Sequence, residues 1–252
     1  MDFKDNIFEG QFVKRYKRFF TDIRTPEGEV LTAHCPNTGS MKGCLIEDAP
    51  CKYTYVDDPK RKLKYTLQAI KAPTSWIGVN THLTNQLVWE AWETKAVEHW
   101  HKYNHAQREV KISDKSRIDL VLWDKEQGLE KIKKLDEKTF NDHKFHFVEV
   151  KNVTLTSDTD PSMATFPDSV TTRGQKHLEE LVHLVEKGHT AEIFFLIQRE
   201  DCNRFTPADD IDPKYGELLR TANDAGVQVT AYACNFQGNA ITINPENIKI
   251  IL

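Results

Sequence analysis

The segment HFVEVKNVTL, residues 146–155, carries two charges inside an apolar strand pattern. Its period of two residues places Val148 and Val150 on one face, and on the other face Phe147, Glu149, Lys151 and Val153. Both faces are apolar enough to be buried, and an unpaired buried charge costs several kcal/mol. Any fold of this chain must therefore supply partners for Glu149 and Lys151.

A second strand pattern, SRIDLVLW at residues 116–123, also contains an acid. Alternation predicts one face with Ile118, Leu120 and Leu122, and an opposite face with Asp119, Val121 and Trp123. The charged stretch 124–144 is typical of a solvated, partly helical insertion. If the two strands pair as a hairpin around it, Asp119 meets Glu149 and Lys151 on one face.

Two carboxylates that converge beside a lysine are suited to a hard divalent cation, Mg²⁺ or Mn²⁺. The Val150 carbonyl is a further candidate ligand, and Lys151 would hold a phosphate or place the attacking water. This set of groups is what metal-assisted phosphodiester hydrolysis requires. The alternative for Asp119, Glu149 and Lys151 is a buried structural ion pair, although two carboxylates and one lysine leave a surplus negative charge.

The chain divides into two patterns near residue 82. Aromatic and β-branched segments separated by P-E-G, N-T-G and D-D-P turns occupy residues 11–80 and predict about five short strands in a small oligonucleotide-binding (OB)-like β-barrel. The later order is helix–strand–strand–helix–strand–helix–strand–strand, which predicts a mixed sheet flanked by helices. We therefore expect an α/β (α+β) chain with domains at 1–81 and 82–252.

Local signals place the helices and loops of the second domain. Thr84 is predicted to cap a helix with these apolar residues: Leu87, Val88, Ala91, Trp92 and Val97. Asp212 and Pro213 are expected to open another helix. The Ser/Thr/Asp/Pro-rich stretch 156–174 predicts a long loop.

Basic residues suggest where a nucleic acid would bind, although the net charge of −4 does not by itself indicate a nucleic-acid-binding protein. The candidate phosphate contacts are Lys14, Arg15, Lys17, Arg18, Lys60, Arg61 and Lys62, with Arg173, Gln175 and Lys176 at a helix start. The interleaved aromatics Tyr16, Phe19 and Phe20 either stack on bases or fill the barrel core. The expected partner is a nucleic acid held through its backbone: DNA, either double- or single-stranded, or RNA.

A small turn, Asn37-Thr38-Gly39-Ser40, could cradle a phosphate with its backbone N–H groups, or be a plain tight turn.

No apolar run approaches the roughly 20 residues of a membrane span, and the first residues lack a secretory pattern. The five cysteines are scattered and odd in number, which favours reduced thiols. We therefore expect a cytoplasmic protein without membrane contact.

The spacing D–x(29)–E–x–K after a helix resembles the core motif of the PD-(D/E)XK nuclease superfamily. Longer stretches, among them VKRYKRFFTDI, HCPNTGSMKGC, SRIDLVL, FVEVKNVTL and FPDSVTTRGQKHLEEL, resemble the SfsA family, the sugar fermentation stimulation proteins, from about residue 11 to 235. This resemblance implies an OB-like barrel, a nuclease-like domain, DNA binding without sequence preference and a regulatory part in maltose and other sugar metabolism.

Carried onto this chain, the resemblance assigns the nuclease-like positions to Asp119, Glu149 and Lys151. It adds Glu90 as the acid that such nucleases often take from the preceding helix; an exposed helix acid is the alternative. Two departures stand out: Thr172 occupies a position where relatives commonly have Glu, and the insertion at 124–144 is longer than usual. Two functions follow as hypotheses, a Mg²⁺-dependent nuclease and a non-catalytic DNA-binding regulator that uses the scaffold only for grip.

Overall fold

The structure, a computed structural model, describes residues 1–4, 6–112, 116–132 and 135–252. Its first strands are β1 (Phe8–Tyr16), β2 (Phe20–Arg24), β3 (Val30–His34), β4 (Pro50–Tyr55), β5 (Tyr65–Lys71) and β6 (Trp76–Gly78). They follow the order β3-β2-β1-β4-β5-β6, and β3 also pairs with β5 through His34 and Thr66. That extra pairing closes five strands into a barrel, as predicted.

The barrel core is built from alternate apolar residues of its strands, including Phe12, Ile23 and Leu67. Close approach of the strands requires glycine at position 10. A Cβ on Gly10 would lie 2.7 Å from the Arg24 carbonyl oxygen, so any side chain there would push β1 away from β2.

The remaining strands are β7 (His105–Lys111), β8 (Arg117–Trp123), β9 (His146–Val153), β10 (Met163–Phe166), β11 (Thr190–Ile197), β12 (Arg204–Pro207), β13 (Gln228–Gln237), β14 (Ala240–Asn247) and β15 (Lys249–Ile250). Six of them form a mixed sheet in the order β14-β13-β11-β9-β8-β7. Its three middle strands β13, β11 and β9 are parallel, whereas β14, β8 and β7 are antiparallel to their neighbours. The predicted hairpin of β8 and β9 and the mixed sheet are confirmed.

The helices are α1 (Thr84–Glu93), α2 (Glu137–Asp142), α3 (Thr172–Glu186) and α4 (Pro213–Asp224). Helix α1 covers one face of the sheet, where Leu87 belongs to the same buried cluster as Val148. Helices α3 and α4 cover the other face, where Leu178 and Leu219 share a cluster with Phe147. The two faces of β9 are therefore both buried, as its sequence predicted.

Asp212 fixes the start of α3 against α4. Its carboxylate is 2% exposed and accepts the backbone N–H of Tyr215, which confirms the predicted cap of α4. The same carboxylate accepts the Thr171 N–H at 2.8 Å and the Gln175 side-chain amide at 2.9 Å. The first turn of α3 is thus held in place by a buried acid with several donors.

Several predicted details of the elements are wrong. Helix α1 begins one residue after Leu83, which makes no side-chain cap, while Asn80 caps the 3₁₀ turn Thr81–Leu83 before it. The helix ends at Glu93, so Val97 lies beyond it. Ile118 packs in the cluster of Val121 and Trp123 rather than with Leu120, because alternation is interrupted at Asp119.

Four strands have no sequence prediction. β7 reads HAQREVK and lacks an apolar face, because it lies at the edge of the sheet. β10 lies inside the stretch predicted as a loop, and with the short strands β12 and β15 it forms a small parallel sheet. The insertion contains helix α2, as the charge pattern suggested, and residues 133–134 lie outside the described residues.

Over the described ranges, no helix has the length and apolar character needed to cross a membrane.

Candidate active site

Strands β8 and β9 pair along only part of their length. Their register joins Leu122 to His146 and Leu120 to Val148. Beyond that point Asp119 Oδ2 accepts the Val150 N–H at 2.8 Å. A side-chain carboxylate thus takes the place of a backbone carbonyl where the two strands separate, and we call this point, formed by Asp119, Glu149 and Val150, the β8–β9 fork.

Helix α1 supports the fork from one side of the sheet. The side-chain amide of Asn85 donates to Asp119 Oδ1 at 2.8 Å. Because Val150 N–H already holds Oδ2, both oxygens of Asp119 are fixed by neutral donors. No positive charge in these contacts neutralises the carboxylate.

Helix α3 supports the fork from the other side. The Glu149 side chain is only 4% exposed, and its Oε1 accepts a hydrogen bond from Lys151 Nζ at 2.6 Å. His177 Nδ1 contacts the same Oε1, and Lys151 Nζ lies 3.0 Å from that ring nitrogen. Glu149, Lys151 and His177 therefore form one compact polar cluster.

The fork opens into a cleft of about 290 Å³, which we call the fork cleft. Its lining brings together the residues already described and Arg173: Asn85, Asp119, Glu149, Val150, Lys151, Arg173 and His177. A second cleft of about 250 Å³ adjoins it and shares Thr81, Asn152 and Phe166. Since Asn37–Gly39 of the barrel line this second cleft, the two parts of the chain meet beside the fork.

The pKa values of the two acids of the fork are shifted in opposite directions. Burial, followed by the negative charge of Glu149, raises the pKa of Asp119 to about 6. Burial also acts to raise the pKa of Glu149, but the hydrogen bond from His177 and the charge of Lys151 outweigh it, so that this pKa is lowered. Asp119 is consequently the acid whose charge is least compensated by the protein.

The donor chemistry of the fork fits a hard divalent cation. No described residue donates a hydrogen bond to Glu149 Oε2, and each oxygen of Asp119 accepts one hydrogen bond from the described residues and keeps a lone pair. The N–H and C=O of one strand residue point to the same side, so the Val150 carbonyl also faces the fork. Asp119, Glu149 and Val150 thus offer the oxygen ligands that Mg²⁺ or Mn²⁺ takes.

Glu90, predicted to join these acids, lies elsewhere. Its carboxylate pairs with the Met1 ammonium group, which also donates to the Ile241 carbonyl at 2.7 Å. Glu90 is five residues beyond Asn85, so it projects about 140° away around α1, toward β14 rather than toward the fork.

The basic cluster at the start of α3 separates into different environments. Arg173 lines the fork cleft, and its Nε lies 3.4 Å from His177 Nε2. Gln175 is bound to Asp212, and Lys176 is exposed on α3 without lining the fork cleft. Only Arg173 of the three is therefore positioned for a phosphate in that cleft.

The predicted basic residues of the barrel also differ among themselves. Arg15 is a structural residue, because its guanidinium donates to the carbonyl oxygens of Asn37 at 2.7 Å and Gly39 at 3.2 Å. Lys17 and Arg18 are exposed at the β1–β2 turn, while the exposed Lys14 lies 3.7 Å from Asp22. Lys60 and Lys62 are exposed in the turn before β5, and between them Arg61 donates to Thr66 at 3.2 Å.

The aromatic residues among these cations are not core residues. Phe19 is 45% exposed, and Tyr16 stacks on Phe20 at a centroid distance of 5.5 Å, outside the buried barrel cluster.

The Asn37–Ser40 turn, which was a candidate phosphate cradle, has donors that already bind groups of the protein. Ser40 N–H and hydroxyl both donate to Asp168, so these donors do not face a free phosphate.

Two residues of the fork cleft have roles that the sequence does not assign. The sequence groups His177 with Arg173 at a helix start near the site, but a lone histidine is more often structural than catalytic. Its spacing of four residues from Arg173 does place both on one helical face, and that was the available clue. Asn85 had no signal, since its role depends on where α1 begins.

The comparisons identify similar proteins along the whole chain. The model "Sugar fermentation stimulation protein RE domain" matches residues 82–240, and "SfsA N-terminal OB domain" matches residues 13–79. A sugar fermentation stimulation protein homolog of Bdellovibrio bacteriovorus is 44% identical over 260 residues, covering 99% of this chain and 96% of the relative. A homolog of Geotalea daltonii is 45% identical over 240 residues, covering 95% of each chain.

A solved structure has the same fold. It is described as Pyrococcus furiosus SfsA in complex with Ca²⁺, and its TM-score against this chain is 0.81. The two sequences are 22% identical, and the superposition covers 100% of this chain and 98% of the other. The barrel followed by a mixed sheet with helices is therefore an architecture shared with that protein.

Substitution of Asp119 tests the electrostatics of the fork. A carboxyl whose pKa is raised by folding favours the folded state below its unfolded pKa, near 4, and this contribution is lost as pH rises through about 6. In chelator at pH 7.5, Asp119→Asn should therefore increase the free energy of unfolding by about 1–3 kcal/mol. The gain should shrink as pH falls below 6. Denaturant titrations at several pH values measure it.

The matched control is Asp210→Asn, which changes an exposed acid in the turn before α4. That variant should change the free energy of unfolding by less than about 0.5 kcal/mol. An Asp119→Asn protein that is less stable than the wild type at pH 7.5 in chelator would contradict the assigned electrostatics.

Proposed function

This chain belongs to the sugar fermentation stimulation protein (SfsA) family, and from that premise we propose that it is a metal-dependent phosphodiesterase acting on nucleic acid. One observation carries the proposal: Asp119 and Glu149 line the same cleft, with Lys151 beside them. Two carboxylates, one lysine and an inward-facing backbone carbonyl form a set of groups for phosphodiester hydrolysis with a cation.

Each residue of the fork has a separate task in this reaction. Asp119, Glu149 and the Val150 carbonyl would hold Mg²⁺ or Mn²⁺. When bound, the ion supplies polarisation of the phosphoryl oxygen and a lowered pKa for its water. Lys151 donates to the phosphate or orients the attacking water, and its position is set by Glu149. Asn85 keeps Asp119 in place from α1.

Arg173 and His177 extend the site on the α3 side. The Arg173 guanidinium lines the fork cleft and can bind phosphate oxygens through two N–H groups. His177 holds Glu149 through Nδ1 and faces Arg173 through Nε2. The start of α3 therefore fixes both the acid and the phosphate-binding cation.

The relative from Pyrococcus furiosus binds a hard divalent cation. Its structure was determined in complex with Ca²⁺. Calcium takes oxygen ligands, as magnesium does, although with a larger and more flexible coordination shell. An ion of this class suits the carboxylates and carbonyl of the fork.

A second candidate function is a DNA-binding regulator of sugar metabolism without catalysis. One observation favours it: Oε1 of Glu149 is already paired with both Lys151 and His177. In that arrangement the basic groups would grip a phosphate while Glu149 neutralises part of their charge. Under this alternative, a cation at Asp119 adds nothing to affinity for nucleic acid.

A cleavage assay separates the two functions. End-labelled single- and double-stranded DNA and RNA are incubated with the wild type in Mg²⁺ or Mn²⁺, and Asp119→Ala should slow cleavage by about a hundredfold or more. The reason is that several kcal/mol of transition-state stabilisation depend on the ion that Asp119 holds.

Glu126→Ala is the control for this assay, because it removes an exposed acid of the insertion. Its cleavage rate should equal that of the wild type. Equal cleavage by wild type and Asp119→Ala would reveal a contaminating nuclease, and no cleavage of any substrate with either metal would support the regulator.

Charge removal at the barrel tests nucleic-acid binding separately. The exposed Lys17 and Arg18 can both be changed to Gln, whereas Arg15 is unsuitable because it braces the Asn37–Gly39 turn. The double variant should bind DNA more weakly, and the slope of log K against log salt should fall in magnitude by about 1 to 2. Fluorescence anisotropy at several salt concentrations measures both.

The matched control changes Lys125 and Lys131 to Gln, two exposed cations of the insertion. This pair should leave the salt slope unchanged. If the Lys17 and Arg18 variant keeps the wild-type slope and affinity, the barrel turn is not part of the nucleic-acid interface.

A further inference from the structure

A second buried acid lies in the sheet, away from the fork cleft. Glu192 of β11 is fully buried in a strand that is otherwise apolar. His146 opens the neighbouring strand β9 and pairs with Thr190, so that His146 and Glu192 project from the same face. His99 reaches them from the 3₁₀ turn Glu98–Trp100 between α1 and β7. Neither the proposed reaction nor the nucleic-acid interface uses these residues.

Both imidazoles direct the same nitrogen at the carboxylate. His146 Nε2 lies 2.8 Å from Glu192 Oε2, and His99 Nε2 lies 3.1 Å from each oxygen of Glu192. One ligand atom from each residue can be chosen so that all three lie within 4.8 Å of one another. This is the spacing of ligands around a single small ion.

The opposite nitrogen of each ring faces a hydroxyl group. His146 Nδ1 is 2.9 Å from Thr190 Oγ1, and His99 Nδ1 is 3.5 Å from the Tyr232 hydroxyl. The Thr190 hydroxyl also lies 3.3 Å from the Phe145 carbonyl, to which it can donate while it accepts a hydrogen bond from His146 Nδ1. Metal-binding histidines are oriented in this way by a partner on the nitrogen that does not bind the metal.

In the tautomer with the proton on Nδ1, the lone pair of His146 Nε2 faces Glu192 Oε2, and a metal ion fits between these two atoms. In the other tautomer Nε2–H donates to the carboxylate, so the same geometry serves the site with or without an ion. The carboxylate is also oriented by Trp100 Nε1 at 2.8 Å and by the Thr230 hydroxyl. Glu192 is thus fixed by its own outer partners, as carboxylate ligands usually are.

We propose that His99, His146 and Glu192 form a binding site for Zn²⁺ or a similar transition metal. Two imidazoles and one carboxylate form a donor set that zinc accepts, with a fourth position left for water. His99 and Tyr232 line an outer cleft of about 800 Å³, through which an ion and that water can enter. Through His99, His146 and Glu192, a bound metal would link the turn after α1 to β9 and β11. This link is independent of the chemistry at the fork.

Metal binding to the purified full chain tests this site. Asp119→Asn is used as the background, because it removes the carboxylate cation site without touching the histidines. After chelation and removal of the chelator, titration with ZnCl₂ should show one equivalent bound with micromolar or tighter affinity. Titration with CoCl₂ should produce visible absorption bands of a nitrogen- and oxygen-bound ion, and zinc should raise the melting temperature.

His99→Gln in the same background isolates the ligand. Glutamine can still donate to Glu192, so the chain should fold, while zinc affinity should fall by about 10- to 100-fold. His101→Gln, two residues further on and exposed, should keep full affinity. Absence of zinc and cobalt binding to the background protein would overturn the proposal in favour of a purely hydrogen-bonded His146–Glu192 pair. Equal binding by the His99→Gln protein would overturn it as well.

Discussion

The fork between β8 and β9 depends on one buried contact, the hydrogen bond from Val150 N–H to Asp119. It lets the two strands separate without leaving an orphan backbone donor, and so it creates the space that becomes the fork cleft. The same contact brings Asp119 beside Glu149, where burial and mutual repulsion raise the pKa of Asp119. Helices α1 and α3 then hold the two acids from opposite faces of the sheet, through Asn85 and His177.

The barrel reaches this site through a short chain of polar contacts. Arg15 of β1 binds the Asn37–Gly39 turn, and Ser40 at the end of that turn binds Asp168 in the segment before α3. Helix α3 carries Arg173 and His177 into the fork cleft. The adjoining cleft is lined by both parts of the chain and shares residues with the fork cleft, so the barrel borders the site directly.

Much of this arrangement could be predicted from the sequence, because period-two patterns with a misplaced charge are informative. Glu149 and Asp119 each interrupt an apolar strand, and this alone predicted the hairpin and the convergence of the acids. Glu90 was misplaced because its assignment needed the start and end of α1 to within a residue. The edge strand β7 and the three short strands of the small sheet lack an apolar pattern, since they are polar or only two to four residues long. The position of Asn85 is set by tertiary packing, which no local pattern encodes, whereas His177 has the weak local signal of its four-residue spacing from Arg173.

The most direct test of the central claim is anomalous diffraction from crystals of the protein grown or soaked with MnCl₂. If the two acids share a cation, an anomalous peak should lie within coordination distance, about 2.0–2.6 Å, of carboxylate oxygens of both Asp119 and Glu149. The Val150 carbonyl oxygen should face the same peak. Crystals with full manganese exposure that show no peak at the fork, or a peak bound by only one of the two acids, would contradict the shared cation site.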